Sequence, residues 1–243
     1  MPEGPSIVIL KEQAKPFEGK KILSVTGNSK IDQKRLDGKK IKALKSWGKH
    51  FLICFDDFIV RIHFLMFGSY LINERKEQAV RLSLKFQNGE LNFYNCSIKF
   101  LEGTVDDHYD FSIDVMNDKW DPRKANKKLK QTPNKMVCDA LLEQDIYAGV
   151  GNIIKNEVLY RVRVHPESKV GKVPIAKLRK MTKEARSYSF EFLEWKKNFV
   201  LRKHWLVHTK TVCHRCNLPI VKKYTGVKKR RSFFCNNCQL LYK

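Results

Sequence analysis

Four of the seven cysteines stand in two closely spaced pairs, Cys213-His-Arg-Cys216 and Cys235-Asn-Asn-Cys238, with 18 residues between the pairs. Each CxxC pair places two thiolates on one tight turn, and two such turns can close a tetrahedron around zinc. Four thiolates leave no position for water, so the spacing predicts one structural Zn²⁺ rather than a catalytic metal. His214 could compete as a ligand but ranks below the cysteines. Disulfides are disfavoured because the chain starts without a secretory signal.

The stretch VKKYTGVKKRRSFF lies between the two cysteine pairs and is strongly cationic. It predicts a hairpin with its turn at residues 224–229, and a rigid hairpin carrying Arg and Lys can bind phosphate. The alternative is an ordinary solvated charged turn. The other three cysteines, Cys54, Cys96 and Cys138, have apolar neighbours and are expected in the core.

Charge points to the kind of partner. The chain has 243 residues, with 48 Lys and Arg against 25 Asp and Glu, a net charge of +23 and an isoelectric point of about 9.8. The basic residues form several dense stretches rather than one tail, which indicates a basic surface suited to a polyphosphate. An inert basic surface is the alternative. No apolar run is long enough for a membrane span, so we expect no membrane partner and a cytoplasmic location, with nucleoid association in a bacterium.

The elements that must position these residues change along the chain. A helix is expected at about Pro5–Ala14, followed by short apolar or alternating runs up to Phe111 that predict antiparallel strands. The stretch RLSLKFQNGELNFYN predicts a hairpin with its turn at Asn88-Gly89. This part therefore reads as an antiparallel sandwich or barrel.

From Arg123 to about Leu206 the apolar spacing is helical. The stretch LLEQDIYAGVGNIIKNEVL predicts two helices joined by a glycine turn, with Asn152 as the cap of the second helix. Free N–H groups at such a helix start favour a phosphate. Without further context, an ordinary helical hairpin explains the same pattern.

The MPEGP start, the helix–GVGN–helix turn and the CxxC…CxxC finger, in this order, resemble the formamidopyrimidine-DNA glycosylase/endonuclease VIII family over nearly the whole chain. The resemblance implies an α+β multidomain fold with an N-terminal antiparallel β-sandwich, a helix-two-turns-helix domain and a C-terminal zinc finger. We place these domains at residues 1–120, 121–206 and 207–243.

The resemblance gives the first residues a chemical role. In this family the initiator Met is removed, so Pro2 would present a secondary amine, and an α-amino group is partly neutral at physiological pH. Its attack on C1′ of a deoxyribose would give an iminium that makes the 2′ proton acidic, so the strand can be cut by elimination. Glu3 would be the acid/base. The implied activity is a bifunctional DNA glycosylase/AP lyase of base-excision repair.

Further residues follow from the same resemblance. Lys49, in SWGKHFLICF, would hold the phosphate flanking the lesion, and Asn152 would hold phosphate from the helical turn. In HFLMFG, Leu65, Met66 and Phe67 would fill the space left by an extruded base, although the sandwich core is a rival place for Leu65. Arg230, five residues before Cys235, would be the phosphate contact of the finger, with Arg231 as the alternative.

Two departures from the family pattern matter. Ser6 stands where family members commonly carry a second acid, and the stretch between Trp195 and Cys213 lacks a longer Gly-containing segment associated with oxidised purines. Together with MPEGP in place of MPELP, this favours the endonuclease VIII branch and oxidised pyrimidines. We expect damaged duplex DNA as the partner of a monomer. A non-catalytic zinc-ribbon nucleic-acid-binding protein remains the alternative function.

Overall fold

The computed structural model describes residues 2–243, and the chain divides into two compact units. The first unit ends at Asp110 and the second is Phe111–Lys243. The predicted helical region and the cysteine-rich finger lie together in the second unit. The three-part division at residues 120 and 206 therefore stays a prediction, and each unit is described by itself.

The first unit begins with a helix, α1 (Gly4–Ala14), as expected from the sequence to within one residue. Its described residues form one antiparallel sheet of six strands in the order β1-β5-β6-β4-β3-β2. The strands are β1 (Ser24–Thr26), β2 (Ala43–Trp47), β3 (His50–Cys54), β4 (Phe58–Ile72), β5 (Leu82–Phe86) and β6 (Gly89–Glu102). Short 3₁₀ turns lie at Lys15–Phe17, Gln33–Leu36 and Val105–Asp107.

The two long strands β4 and β6 join the halves of this sheet. β3 pairs with the first part of β4, whereas β5 pairs with the first part of β6, and the β4–β6 register shifts between Phe64 and Ser69. Both halves and α1 contribute side chains to one apolar core, which makes the unit a layered antiparallel sandwich. The core includes Ile7, Leu10, Leu44, Phe51, Ile53, Val60, Ile62, Leu84, Leu91 and Phe93.

The β5–β6 hairpin forms as expected, but its turn lies one residue earlier than predicted. Phe86 pairs with Gly89, so the two loop residues are Gln87 and Asn88. Gly89 has φ +139 and starts β6, and a Cβ there would lie 2.0 Å from Asn73 Oδ1. The glycine is therefore required by the close approach of Asn73, whose Oδ1 accepts the N–H of Glu90 at 2.9 Å.

The second unit is mainly helical. Its helices are α2 (Pro122–Lys130), α3 (Val137–Ala140), α4 (Asn152–Val162) and α5 (Ile175–Lys197), and a hairpin of β7 (Val221–Thr225) and β8 (Arg230–Phe234) follows. Short 3₁₀ turns lie at Phe111–Ile113, Val170–Lys172 and Leu201–His204. The apolar core under the helices includes Leu129, Val137, Ile154, Val158, Val162, Met181, Ala185 and Tyr188.

Two sequence expectations for the helical region are wrong in detail. The apolar run around MVCDALLEQ forms only a four-residue helix, α3, before it breaks into turns. Asn152 is not the cap of α4: Gly151 takes that position in an extended conformation, and no side-chain cap bond forms. Among residues 2–243, every helix is too short or too polar to cross a bilayer.

Candidate functional site

The start of the chain is fixed by the helix that follows it. Glu3 is extended (φ −113°, ψ 173°), only 2% exposed, and directly precedes α1. Its carbonyl accepts the N–H of Ser6 at 2.8 Å, and α1 packs on β2 and β3. Pro2 remains partly exposed. The buried residue Glu3 thus directly follows Pro2, which solvent can reach. Ser6 lies in the first turn of α1 and is 8% exposed.

Lys49 lies in the two-residue loop between β2 and β3, where Trp47 pairs with His50. Gly48, at φ +53, gives this tight loop its left-handed residue. The Lys49 side chain is partly buried. The loop therefore presents one cation at the end of a hairpin whose β3 side chains enter the core.

Two histidines lie beside this loop, and neither was predicted from the sequence to have a role. The rings of His50 and His63 are 5.2 Å apart, and the Tyr109 hydroxyl lies 3.2 Å from His50 Nδ1. Burial, then the neighbouring His63 and the charges of Arg61 and Lys49, lower the pKa of His50 to about 3. Burial followed by Lys49 also lowers the pKa of His63. Both imidazoles are therefore neutral, and Lys49 and Arg61 carry the local positive charge.

Leu65, Met66 and Phe67 lie where β4 leaves its pairing with β6, and they are 45%, 56% and 81% exposed. The core alternative for Leu65 is therefore wrong. A Cβ at the following residue, Gly68, would lie 2.6 Å from the Asn95 carbonyl oxygen, so the irregular strand depends on this glycine. Three consecutive exposed apolar side chains are typical of a surface that contacts a partner.

In the second unit, Asn152 contacts the finger rather than capping its own helix. Its Nδ2 donates to the carbonyl oxygen of Arg231 at 2.9 Å. Asn156, one turn further along α4, approaches the same oxygen at 3.4 Å. Because a side-chain amide carries two N–H donors, this bond leaves a second hydrogen on Asn152 Nδ2.

Because successive side chains of a strand lie on opposite faces, Arg230 and Arg231 lie on opposite faces of β8. Arg231 donates to the Tyr224 hydroxyl at 2.8 Å, and its guanidinium lies 5.3 Å from the centre of that ring. Arg230 shares a face of β8 with Ser232, which is fully buried against α4. Arg230 is thus on the side of the hairpin that meets α4, which favours it over Arg231 as the phosphate contact.

The four paired cysteines come together as expected. Their Sγ atoms lie within 4.8 Å of one another, with Cys213 and Cys238 at 3.7 Å and Cys216 and Cys235 at 3.3 Å. These separations and four sulfur donors fit one tetrahedral metal ion. His214 is exposed and does not belong to the cluster. The other three cysteines are buried, as predicted: Cys54 is 5% exposed, Cys96 3% and Cys138 1%.

Comparison with known proteins agrees with this geometry. The sequence profile of the formamidopyrimidine-DNA glycosylase N-terminal domain matches residues 1–101, and the profile of the H2TH domain of the same glycosylase matches residues 111–198. The chain belongs to the formamidopyrimidine-DNA glycosylase/endonuclease VIII family. Within the family, it falls in the endonuclease VIII-like branch.

The chain covers a different fraction of each of its relatives. It is 30% identical to endonuclease 8-like 3 of Mus musculus over 206 residues, which are 81% of this chain but 34% of that protein. It is 25% identical to the formamidopyrimidine-DNA glycosylase of Ureaplasma parvum over 235 residues, 85% of this chain and 84% of that one. The chain thus spans about a third of the length of the endonuclease 8-like 3 proteins that it matches.

Among solved structures, the Lactococcus lactis formamidopyrimidine-DNA glycosylase bound to DNA containing an AP site superposes with a TM-score of 0.85. The match covers 98% of this chain and 99% of that one at 23% identity. At this identity the match establishes the fold, and it confirms the predicted α+β architecture with an antiparallel sheet, a helical region and a four-cysteine finger.

Proposed function

We propose that the protein is a bifunctional DNA glycosylase/AP lyase of base-excision repair that removes oxidised bases, preferentially pyrimidines, from duplex DNA as a monomer. The observation that carries the proposal is the fixed start of the chain: Glu3 is 2% exposed while the adjacent Pro2 remains accessible. A flexible tail would place neither group reproducibly. Family membership supports the same activity. The proposal requires Met1, which lies outside the described residues, to be removed.

In the proposed reaction, the neutral amine of Pro2 attacks C1′ of the damaged nucleotide. The glycosidic bond breaks, and the base leaves with the bonding electrons and takes up a proton. The Pro2 nitrogen then loses its proton, the C1′–O4′ bond breaks as O4′ is protonated, and an iminium links Pro2 to the opened sugar. Loss of the 2′ proton then forms a C2′–C3′ double bond and expels the 3′ phosphate with its bonding electrons. Water finally hydrolyses the iminium and frees Pro2. We assign these proton transfers to Glu3, the carboxyl group next to Pro2 in the chain.

The remaining site residues have binding roles in the proposal. Lys49, Asn152 and Arg230 contact phosphates, which position a strand without reading its sequence. Leu65, Met66 and Phe67 stack into the duplex where a base has been extruded, a role that suits exposed apolar side chains. Zn²⁺ is the metal that the four thiolates favour, and when bound it would hold the finger hairpin in shape.

Reduction with borohydride tests the covalent step directly. The protein should form a stable adduct with DNA containing an abasic site, whereas a chain that keeps an N-terminal extension before Pro2 should form none, because its proline nitrogen is an amide. The matched control is the same extended chain after protease removal of the extension. Equal trapping of the blocked and unblocked chains would refute Pro2 as the nucleophile.

Glu3→Gln separates excision from strand cleavage. Excision of an oxidised pyrimidine should fall at least about 100-fold, because base departure needs proton transfer, while cleavage at preformed abasic sites should persist in part. A non-catalytic zinc-ribbon protein, the alternative function, predicts DNA binding without trapping or cleavage in any variant. Wild-type activity of Glu3→Gln on the damaged base would remove Glu3 from the mechanism.

A further inference from the structure

Helix α4 carries three consecutive polar residues that are almost fully buried. Lys155 and Glu157 are 0% exposed and Asn156 is 1% exposed. A buried charge is costly unless polar groups surround it, and a cation in the first turns of a helix opposes the helix dipole. The carboxylate of Glu157 accepts three backbone N–H groups, from Leu206, Val207 and His208 at 2.7–3.0 Å, which accounts for its burial.

Lys155 points in a different direction, into the finger hairpin. Its Nζ donates to Ser232 Oγ at 2.8 Å and lies 3.4 Å from the carbonyl oxygen of Arg231. These two groups follow Arg230 on β8. The ammonium therefore holds the strand at the two residues after Arg230 rather than at Arg230 itself.

The hydrogen-bonded chain continues across the hairpin. The hydroxyls of Ser232 and Thr225 bond to each other, and Thr225 is 3% exposed. Thr225 is the residue that pairs with Arg230 across the two strands. Lys155 is thus connected to Arg230 both along β8 and through its cross-strand partner, so a shift of the ammonium would be transmitted to Arg230 by two routes.

We propose that Lys155 is a positioning residue for phosphate binding: its buried ammonium fixes Arg230 on the hairpin. The inference rests on the proposed function, because it concerns the strand-binding role given to Arg230 and Asn152. The lowered pKa of His208, to about 4, agrees with it, since burial and then the Lys155 charge are its first causes. A charge in the protein interior is screened less by salt than one on the surface.

A double-mutant cycle tests the proposal with the zinc-loaded, full-length protein. The measurement is the dissociation constant for a duplex with a stable abasic-site analogue, in wild type, Lys155→Met, Arg230→Ala and the double variant. Each single change should weaken binding about tenfold. The double variant should be about as weak as Arg230→Ala alone rather than about a hundredfold weaker, because Lys155 acts through Arg230.

Val158→Ala is the matched control, because Val158 is fully buried on the same helix but in the apolar core. It should lower the melting temperature yet combine additively with Arg230→Ala. Ser232→Ala removes one Lys155 contact and keeps the charge, and it replaces Lys155→Met if that variant does not fold. It should also couple to Arg230→Ala. Additive losses for both Lys155→Met and Ser232→Ala would overturn the proposal.

The same preparations separate this inference from the proposed function. Lys155→Met should raise KM and leave borohydride trapping at saturating DNA unchanged, since Lys155 contacts no reacting atom. Absence of trapping in wild type, with the coupling intact, would reject the lyase reaction but retain the positioning role. Trapping in wild type with no coupling would reject the positioning role alone.

Discussion

Two hairpins in this chain carry a proposed phosphate contact, and they are held in different ways. The β2–β3 hairpin, with Lys49 in its loop, belongs to a six-stranded sheet, and Phe51 and Ile53 are fully buried in the apolar core behind it. The β7–β8 hairpin, with Arg230 at the start of β8, pairs only with itself among the described residues. It is held by four cysteines, by polar contacts to α3 and α4, and by a small apolar cluster around Phe233. A small element with so small a core needs such additional contacts.

Hydrogen bonds to the α3 segment hold the tip of the finger hairpin. The buried carboxylate of Asp139 accepts the N–H groups of Val227 and Lys228 at 2.8 and 3.2 Å. Lys228 Nζ in turn donates to the Leu142 carbonyl oxygen at 3.2 Å. The hairpin is therefore fixed at its tip by the α3 segment and along β8 by α4. Loss of one of these polar contacts should make the cationic finger hairpin more mobile without exposing a large apolar surface.

The largest effect is expected from the metal ligands. Cys235→Ser should abolish metal binding, disorder the finger hairpin and weaken binding to the abasic-site duplex by about 100-fold or more, because a structural zinc site provides much of the folding free energy of such an element. Elemental analysis and binding titration measure both effects.

Phe51→Ala is the counterpart in the first hairpin: it should lower the free energy of unfolding by about 3–5 kcal/mol and leave the metal content unchanged.

One metal per wild-type chain that disappears in Cys235→Ser is the expected result. A Cys235→Ser protein that still binds the duplex like wild type would show that the hairpin does not depend on its cysteines, and the contrast between the two hairpins would then be wrong.

The next effect concerns Gly226, in the finger turn. Gly226 and Gly38, a glycine of the first unit, have the same φ of +71, but a Cβ on Gly226 would lie 2.4 Å from the Asp139 carboxylate oxygens, whereas one on Gly38 would lie 3.5 Å from Lys21 Cε. Gly38→Ala should cost about 1 kcal/mol from backbone strain alone. Gly226→Ala should cost roughly 2–3 kcal/mol, because Asp139 must also move.

Urea unfolding of the two glycine variants, with DNA affinity measured alongside, checks this difference. Gly226→Ala should also weaken DNA binding, and Gly38→Ala should not. Equal losses of stability would mean that the backbone conformation, rather than the Asp139 contact, dominates at the finger tip.

The sequence predicted those features that depend on local pattern. Alternation and turn residues located β3 to β6, and the cysteine spacing located the metal cluster. It could not predict contacts between distant segments, such as Lys155 with Ser232, because a lysine in a helix is expected on the solvent side. For the same reason Asn152 was assigned as a helix cap, although its amide contacts Arg231, which is 79 residues away.

A smaller effect is expected when one phosphate contact is removed from either hairpin. Arg230→Ala and Lys49→Ala should each weaken binding to damaged and undamaged duplex alike by about tenfold and lower the salt slope by roughly one unit, since each cationic contact releases counterions. Binding titrations at several salt concentrations measure this. Met66→Ala should impair processing of the lesion and leave the salt slope unchanged.

Arg231→Ala is the matched control for Arg230→Ala, because its guanidinium is held by Tyr224 on the other face of β8. It should change affinity and slope less than Arg230→Ala does. A larger effect of Arg231→Ala would make Arg231, rather than Arg230, the phosphate contact. The proposed role of Lys155 in positioning Arg230 would then have no basis.

The smallest effect is the response to acid, for which one partly buried histidine lies in or against each hairpin. Burial lowers the pKa of His50, the first residue of β3, to about 3, and that of His208, whose ring lies 5.1 Å from Phe233 of β8, to about 4. Below pH 6.5 the unfolded chain takes up protons that the folded chain does not, so stability falls as the pH falls. The loss should be under about 1 kcal/mol per histidine between pH 7 and pH 6.

His50→Gln and His208→Gln each remove one of these titrations, so the difference from wild type isolates it from the other histidines. Both variants should flatten the fall in the urea midpoint between pH 7 and pH 5, since both native histidines stay neutral over that range. Below pH 4 the two should diverge: the contribution of His208 stops changing near its lowered pKa of about 4, whereas that of His50 continues to about pH 3. If replacing a histidine leaves the slope of the urea midpoint against pH unchanged between pH 7 and pH 5, that histidine has the same pKa in the folded and the unfolded chain. Such a result for His208 alone would mean that the finger side of α4 admits water, and the Lys155 ammonium beside it would then be screened like a surface charge.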